Sequence, residues 1–133
     1  MPSVIKQSVT LPASAKKLYD MYLSPRAHSA FTGAAVVISG KPDSKFSAFD
    51  GALWGHTLAA IPGRLIVQSW RSSNFGDGDR DSTLILSFTS LKANSARIDL
   101  VHVGVPEVDF KGVSKGWPQY YWKPWRAYLA KKK

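Results

Sequence analysis

The three histidines, His28, His56 and His102, are the only side chains here that ordinarily exchange protons near neutral pH. The chain has no cysteine, so a histidine-based metal centre would need all three together. One comes from a helix or loop and two from strands, without ligand-like spacing, so no metal and no cofactor is expected. GDGDRD (76–81) sets acids at alternate positions, as a calcium loop does. It lacks the closing glutamate and carries Arg80, and it reads as a solvated hairpin loop. No G-x-S-x-G, phosphate-loop or dinucleotide glycine pattern occurs. No catalytic residue is assigned, and a binding role is favoured over an enzymatic one.

The same residue types suit a pocket better than a reaction centre. His102 shares a strand face with Ile98 and Leu100, where it is either a satisfied core residue or a polar anchor for a ligand. Trp54 and His56 share one face, as do Gln68 and Trp70. If both sets turn inward, Trp54, His56, Gln68, Trp70, His102, Trp117 and Tyr121 line one cavity. A mostly aromatic wall with a few polar groups is what small-molecule sites require. A register slip of one residue would reverse any of these assignments.

The elements that must position these residues follow from local pattern. VIKQSVTL (4–11) alternates as a first strand and Pro12 stops it. Ser14 is a plausible N-cap for AKKLYDMYL, with Leu18, Met21 and Tyr22 on one face. Ser24-Pro25 closes that helix or starts a second short one, RAHSAF. Six short strands then follow: 34–39, 46–49, 52–61, 64–71, 82–91 and 96–105. Asp50-Gly51 and Pro62-Gly63 are among the turns between them. Such spacing argues for an antiparallel meander, and only residues 111–131 are long enough to cover one face of it.

That closing segment holds GWPQYYWKPWRAYL (116–129), with three tryptophans and three tyrosines out of sixteen aromatic residues in the chain. At helical spacing Trp117, Tyr121, Pro124, Trp125 and Tyr128 share a face, flanked by Tyr120 and Leu129. Gln119, Lys123, Arg126 and Ala130 take the other side. Each ring buries roughly 150–250 Å², worth at most some 4–6 kcal/mol. The stripe is therefore either core or the wall of a cavity. Stacking on nucleic acid is disfavoured, because the rings face away from Lys123 and Arg126. Pro118 fits the start of the main helical run, and Pro124 is expected to kink it.

One strand, two helices, a strand meander and a long closing helix, with three motifs, resemble the activator of heat-shock protein 90 ATPase-like family. This family belongs to the START-related SRPBCC superfamily. The motifs are KFSAFDGALWGHTLAAIPGRLIVQSWR (45–71), VHVGVP (101–106) and KGWPQYYWKPWRAYL (115–129). The resemblance implies an α+β helix-grip fold, with a curved antiparallel sheet of six to seven strands wrapped around the C-terminal helix. It implies an elongated apolar cavity between the two, and residues 1–133 forming a single domain. Eukaryotic relatives carry an additional N-terminal domain with the main chaperone-stimulating contacts, so the resemblance points first to a binding domain.

Two functions from different classes are therefore expected. The first is a non-catalytic holder of a hydrophobic small molecule, aromatic or lipid-like, oriented by His102, Gln68 or Tyr121. The second is a co-chaperone-like, stress-response module docking on a chaperone or other acidic protein. A third, weaker expectation is an enzyme acting on a polyketide-like or aromatic ligand. The net charge of +9 comes from 18 basic and 9 acidic residues. Past Asp109 there are seven basic residues, including Lys131, Lys132 and Lys133, and no acid. Such asymmetry steers anionic partners. No signal-peptide run or membrane-length apolar stretch occurs, so a soluble, cytoplasmic protein is expected.

Overall fold

A computed structural model describes residues 3–131, in which the chain runs β1 (Ser3–Leu11), α1 (Ala15–Leu23), α2 (Pro25–Thr32), β2 (Ser44–Ala48), β3 (Leu53–Ile61), β4 (Leu65–Ser72), β5 (Ser82–Lys92) and β6 (Ser95–Val105). A closing helix follows, as α3 (Glu107–Gly116), a π-helical segment (Trp117–Trp122) and α4 (Lys123–Lys131). Lys132 and Lys133 lie outside the described residues. The six strands form one curved antiparallel sheet in the order β1-β6-β5-β4-β3-β2. The first strand thus pairs with the last, and the helices pack on one face of the sheet. No described helix is long and apolar enough to cross a membrane.

Alternation sets the inner face. Ile66, Gln68, Trp70 and Ser72 of β4 point inward, as do Leu84, Leu86 and Phe88 of β5 and Ile98, Leu100 and His102 of β6. Ser14 caps α1, its side chain accepting from the Lys17 N–H at 3.1 Å. Ser24 caps α2 in the same way at Ala27, with Pro25 in the first turn.

Residues 34–39, expected as a strand, form none. They meet β2 through one bridge, Val37 to Ser47. Alternation persists, with Val36 and Ile38 buried and Val37 exposed. The Ser39 carbonyl instead accepts from the Thr57 hydroxyl at 3.0 Å, so side-chain bonding replaces a ladder.

The closing helix begins at Glu107, four residues earlier than expected, and Pro118 lies inside it. Glu107 and Asp109 occupy the first turn, where acids complement the positive end of the helix dipole. Pro118 has no N–H and its ring crowds the preceding turn. The helix widens there, the Lys123 N–H reaching back five residues to the Pro118 carbonyl. Insertions of this type let a helix absorb a break in its ladder. The Ser114 carbonyl, four residues before Pro118, accepts instead from Gln7 Nε2 at 2.7 Å. The Gln7 side-chain oxygen in turn accepts from Trp122 Nε1 at 2.9 Å.

The widened turn changes which rings go inside. Trp117, Tyr121, Trp122, Trp125 and Leu129 are buried, while Tyr120 is exposed and Tyr128 half-buried. Gln119, Lys123, Arg126 and Ala130 face outward, as their helical spacing predicts. Trp125 stacks on Phe31 of α2, with ring centroids 4.3 Å apart and planes 5° from parallel. Gln7→Leu removes both bonds that tie β1 to the widened turn. Urea unfolding should show a loss of about 2 kcal/mol, the range for stranded buried polar groups.

Candidate functional site

Two buried histidines organise the interior beneath the closing helix. His102, on β6, has its tautomer fixed by one donor-only partner. Trp117 Nε1 can only donate, and it lies 3.2 Å from His102 Nδ1. Nδ1 is therefore the acceptor, and the proton sits on Nε2. Nε2 donates to Ser82 Oγ at 2.8 Å, and Ser82 Oγ donates to the Trp70 carbonyl at 2.7 Å. This relay joins helix, β6, β5 and β4 in one direction. Burial pushes the His102 pKa down to about 3.

His28, on α2, has the opposite tautomer. Its Nδ1 lies 2.7 Å from the Tyr22 carbonyl, which can only accept, so Nδ1 carries the proton. Nε2 accepts from the Tyr121 hydroxyl at 2.9 Å. Burial lowers the His28 pKa to about 4, opposed by the bond to the Tyr22 carbonyl. Tyr22 itself donates to Gln68 Oε1 at 2.9 Å, and Gln68 Nε2 donates to Thr57 Oγ1 at 3.3 Å. Burial raises the hydroxyl pKa of both Tyr22 and Tyr121. Both imidazoles are thus neutral at pH 7 with both ring nitrogens engaged.

Above this polar layer a cleft of about 500 Å³ opens between the closing helix and one end of the sheet. Trp70, Trp117 and Tyr121 line it, together with Phe49, Leu53 and Val113. The Phe49-Asp50-Gly51 turn builds one wall. All three residues have positive φ, at 52°, 56° and 91°. Only the glycine adopts this freely. Phe49 is held there against Tyr120 and Tyr121, at centroid distances of 5.7 and 5.8 Å. Gly112 and Gly116 of α3 form the opposite edge, where the absence of side chains leaves room.

Of the seven residues expected to share a cavity, three line this cleft: Trp70, Trp117 and Tyr121. Gln68 and His102 point inward but are fully buried, bonded within the layer below. Trp54 and His56 require correction. Trp54 is 40% exposed and His56 is exposed, both on the outer face of β3. The register of β3 turns Gly55 and Thr57 inward instead.

Periodicity did not reveal Asp109. This residue is only 6% exposed and lines the cleft beside Ser72 and Asn74. Oδ2 accepts from Ser72 Oγ at 2.6 Å and Oδ1 from Asn74 Nδ2 at 3.2 Å. The available signal was its place in the first helical turn after Pro106. The 76–81 loop closes around a guanidinium, with Arg71 donating to the Gly76 and Asp79 carbonyls and to Asp81.

Residues 12–130 match the family model described as Activator of Hsp90 ATPase homolog 1-like protein. The activator of 90 kDa heat shock protein ATPase homolog of Dictyostelium discoideum is 27% identical over 99 residues, covering 74% of this chain and 26% of its own length. The human activator of 90 kDa heat shock protein ATPase homolog 1 is 25% identical over 114 residues, covering 86% of this chain and 33% of its own. The chain therefore spans a third or less of these two relatives. Among solved structures, an HSP90 activator from Plasmodium falciparum superposes with a TM-score of 0.87 at 20% identity, over 96% of both chains. Protein MLL2253 from Mesorhizobium loti gives 0.83 at 16% identity, over 98% of this chain and 99% of its own. At such identities these two share the fold.

Proposed function

The chain belongs to the Activator of Hsp90 ATPase homolog 1-like family, and from that premise we propose that residues 1–133 form one START-like domain holding a hydrophobic small molecule in the cleft between sheet and closing helix. The observation that carries this reading is the cleft itself, about 500 Å³ and walled mainly by aromatic and aliphatic side chains. That volume lies within the range of small-molecule sites. Its action is binding: the rings take the ligand out of water, and the polar groups at Asp109, Ser72 and Asn74 orient it. The two buried histidines, His28 and His102, are structural in this reading, because each of their ring nitrogens already has a partner.

The helix edge provides the test. A Cβ added at Gly116 would meet Tyr120 Cδ2 at 3.5 Å, an ordinary contact, and the backbone there is helical, with φ −66° and ψ −36°. Gly116→Leu should therefore place a side chain in the cleft while improving helix propensity by up to about 1 kcal/mol. The neutral fluorophore N-phenyl-1-naphthylamine should bind the wild-type chain saturably and bind the variant at least about tenfold more weakly. The variant's unfolding midpoint should be equal or higher. Equal binding to both chains, or none to the wild type, would overturn the cleft as the site.

A second reading is favoured by the relatives, which are named as activators of the 90 kDa heat shock protein ATPase. In it the domain is a co-chaperone-like module whose exposed basic residues, Lys123 and Arg126 among them, dock on an acidic chaperone surface. Such a complex weakens steeply as salt rises, whereas apolar binding in the cleft does not. Calorimetry against purified Hsp90 at two salt concentrations separates the readings.

A further inference from the structure

The cleft holds a single carboxylate and no basic side chain. Asp109 makes no ion pair with another described residue. Its two bonds come from neutral groups whose directions are settled. The Asn74 N–H donates to Ser72 Oγ at 3.1 Å, which leaves the Ser72 hydroxyl proton for Asp109 Oδ2. A carboxylate offers about four acceptor positions, so two remain. Beside Oδ1 stands Gly112, where even an added Cβ would stay 3.4 Å away. The carboxylate is thus held in place, largely shielded from bulk water and uncovered on the side of the cleft. A charge in such surroundings interacts strongly with an opposite charge brought beside it.

Resting on the cleft as the ligand site, we propose that its ligand is a flat apolar molecule bearing a protonated amine, with the ammonium bonded to Asp109 and the ring body against Trp70 and Trp117. The tryptophan faces add attraction for the cation. An anionic amphiphile of the same shape, such as an aromatic or fatty carboxylate, would face an unscreened carboxylate and be rejected.

The overall charge makes this a sharp test. A chain at +9 attracts anions at long range, so non-specific association ranks an anion above a cation. The proposal requires the reverse order. Three probes with one ring system, 2-naphthylmethylamine, 2-naphthalenemethanol and 2-naphthoate, can be titrated calorimetrically onto the full chain at pH 7. The amine should bind about tenfold or more tightly than the alcohol, and the naphthoate most weakly. In Asp109→Asn the amine and the alcohol should bind within about twofold of each other.

If the alcohol binds and the amine binds no tighter, this inference fails while the hydrophobic cleft stands. If none of the three binds, the cleft reading fails and takes the inference with it. Should Asp109→Asn not fold, the wild-type order of amine against naphthoate decides alone. An amine preference that persists undiminished in a folded Asp109→Asn chain also overturns the proposal.

Discussion

Acidifying the protein from pH 6 to pH 4 is expected to remove about 5 kcal/mol of stability, most of it through His28 and His102. Their folded pKa values are pushed down to about 4 and about 3, from an ordinary 6.5. Across that interval the unfolded chain carries close to two protons on these rings, while the folded chain carries few until the pH nears 4. Stability therefore falls with falling pH, by up to about 1.4 kcal/mol per pH unit for each histidine. The contribution is fully present above pH 6.5 and is lost as pH drops towards the folded values. Asp99 adds to the loss only at lower pH. Its pKa is lowered chiefly by the Ser8 hydrogen bond, which together with the bond and charge of Arg97 outweighs the opposing effect of burial.

The cause is geometric as well as dielectric. A protonated His102 would aim an Nδ1 proton at the Trp117 N–H, which cannot accept it, and a protonated His28 would put an Nε2 proton against the Tyr121 hydroxyl, which would have to turn its own proton away. A domain of this size is stable by about 5–15 kcal/mol, so this loss removes about a third or more of the total by pH 4. Urea midpoints at half-unit pH steps measure the slope, expected to be about 2 to 2.5 kcal/mol per unit between pH 6 and 4.5. His28→Gln or His102→Gln should halve it, whatever each does to stability at pH 7. If a variant does not fold, NMR of the native wild type still decides, since neither imidazole should titrate above pH 5. A flat wild-type profile would show that these histidines titrate freely.

Elements governed by near neighbours in sequence were legible, and those governed by distant partners were not. The inward faces of β4, β5 and β6 follow from two-residue alternation, and the Ser14 cap from residue type. The aromatic stripe at Trp117, Tyr121 and Trp125 follows from helical spacing. Trp122 escaped, because its burial depends on the widened turn, and that turn depends on Gln7, more than a hundred residues away. Asp109 escaped for the same reason, since Ser72 and Asn74 reach it from 37 and 35 residues earlier. The strand expected at 34–39 had the right alternation but no continuous partner. Alternation reports which way side chains point, and hydrogen bonding is a separate requirement.

The misplacement of Trp54 and His56 has its own physical signal, and it leads to the largest single-residue effect expected here. Gly55 lies between them on β3, facing inward. A Cβ at Gly55 would overlap the Ser69 carbonyl oxygen and stand 2.7 Å from its carbon and 2.9 Å from Phe46 Cε2. The paired register of β3 and β4 skips Gly55 and His56, and the His56 N–H donates to Ser69 Oγ at 2.9 Å instead. A glycine within a strand marks such an approach of one backbone to another. It assigns Gly55 to the crowded side and so Trp54 and His56 to the open one. Gly55→Ala cannot be relieved by a side-chain rotation, because the two nearest opposing atoms belong to the β4 backbone. The strands must separate just where β4 carries Gln68 and Trp70 into the interior. A loss above about 4 kcal/mol is expected, the range reserved for severe core disruption. The chain should express poorly or show a collapsed urea midpoint. Trp54→Ala, next to it on the outer face, should change stability by only about 0.5 kcal/mol. Comparable losses in the two variants would mean that the indole, and not the glycine, occupies the inner side of β3.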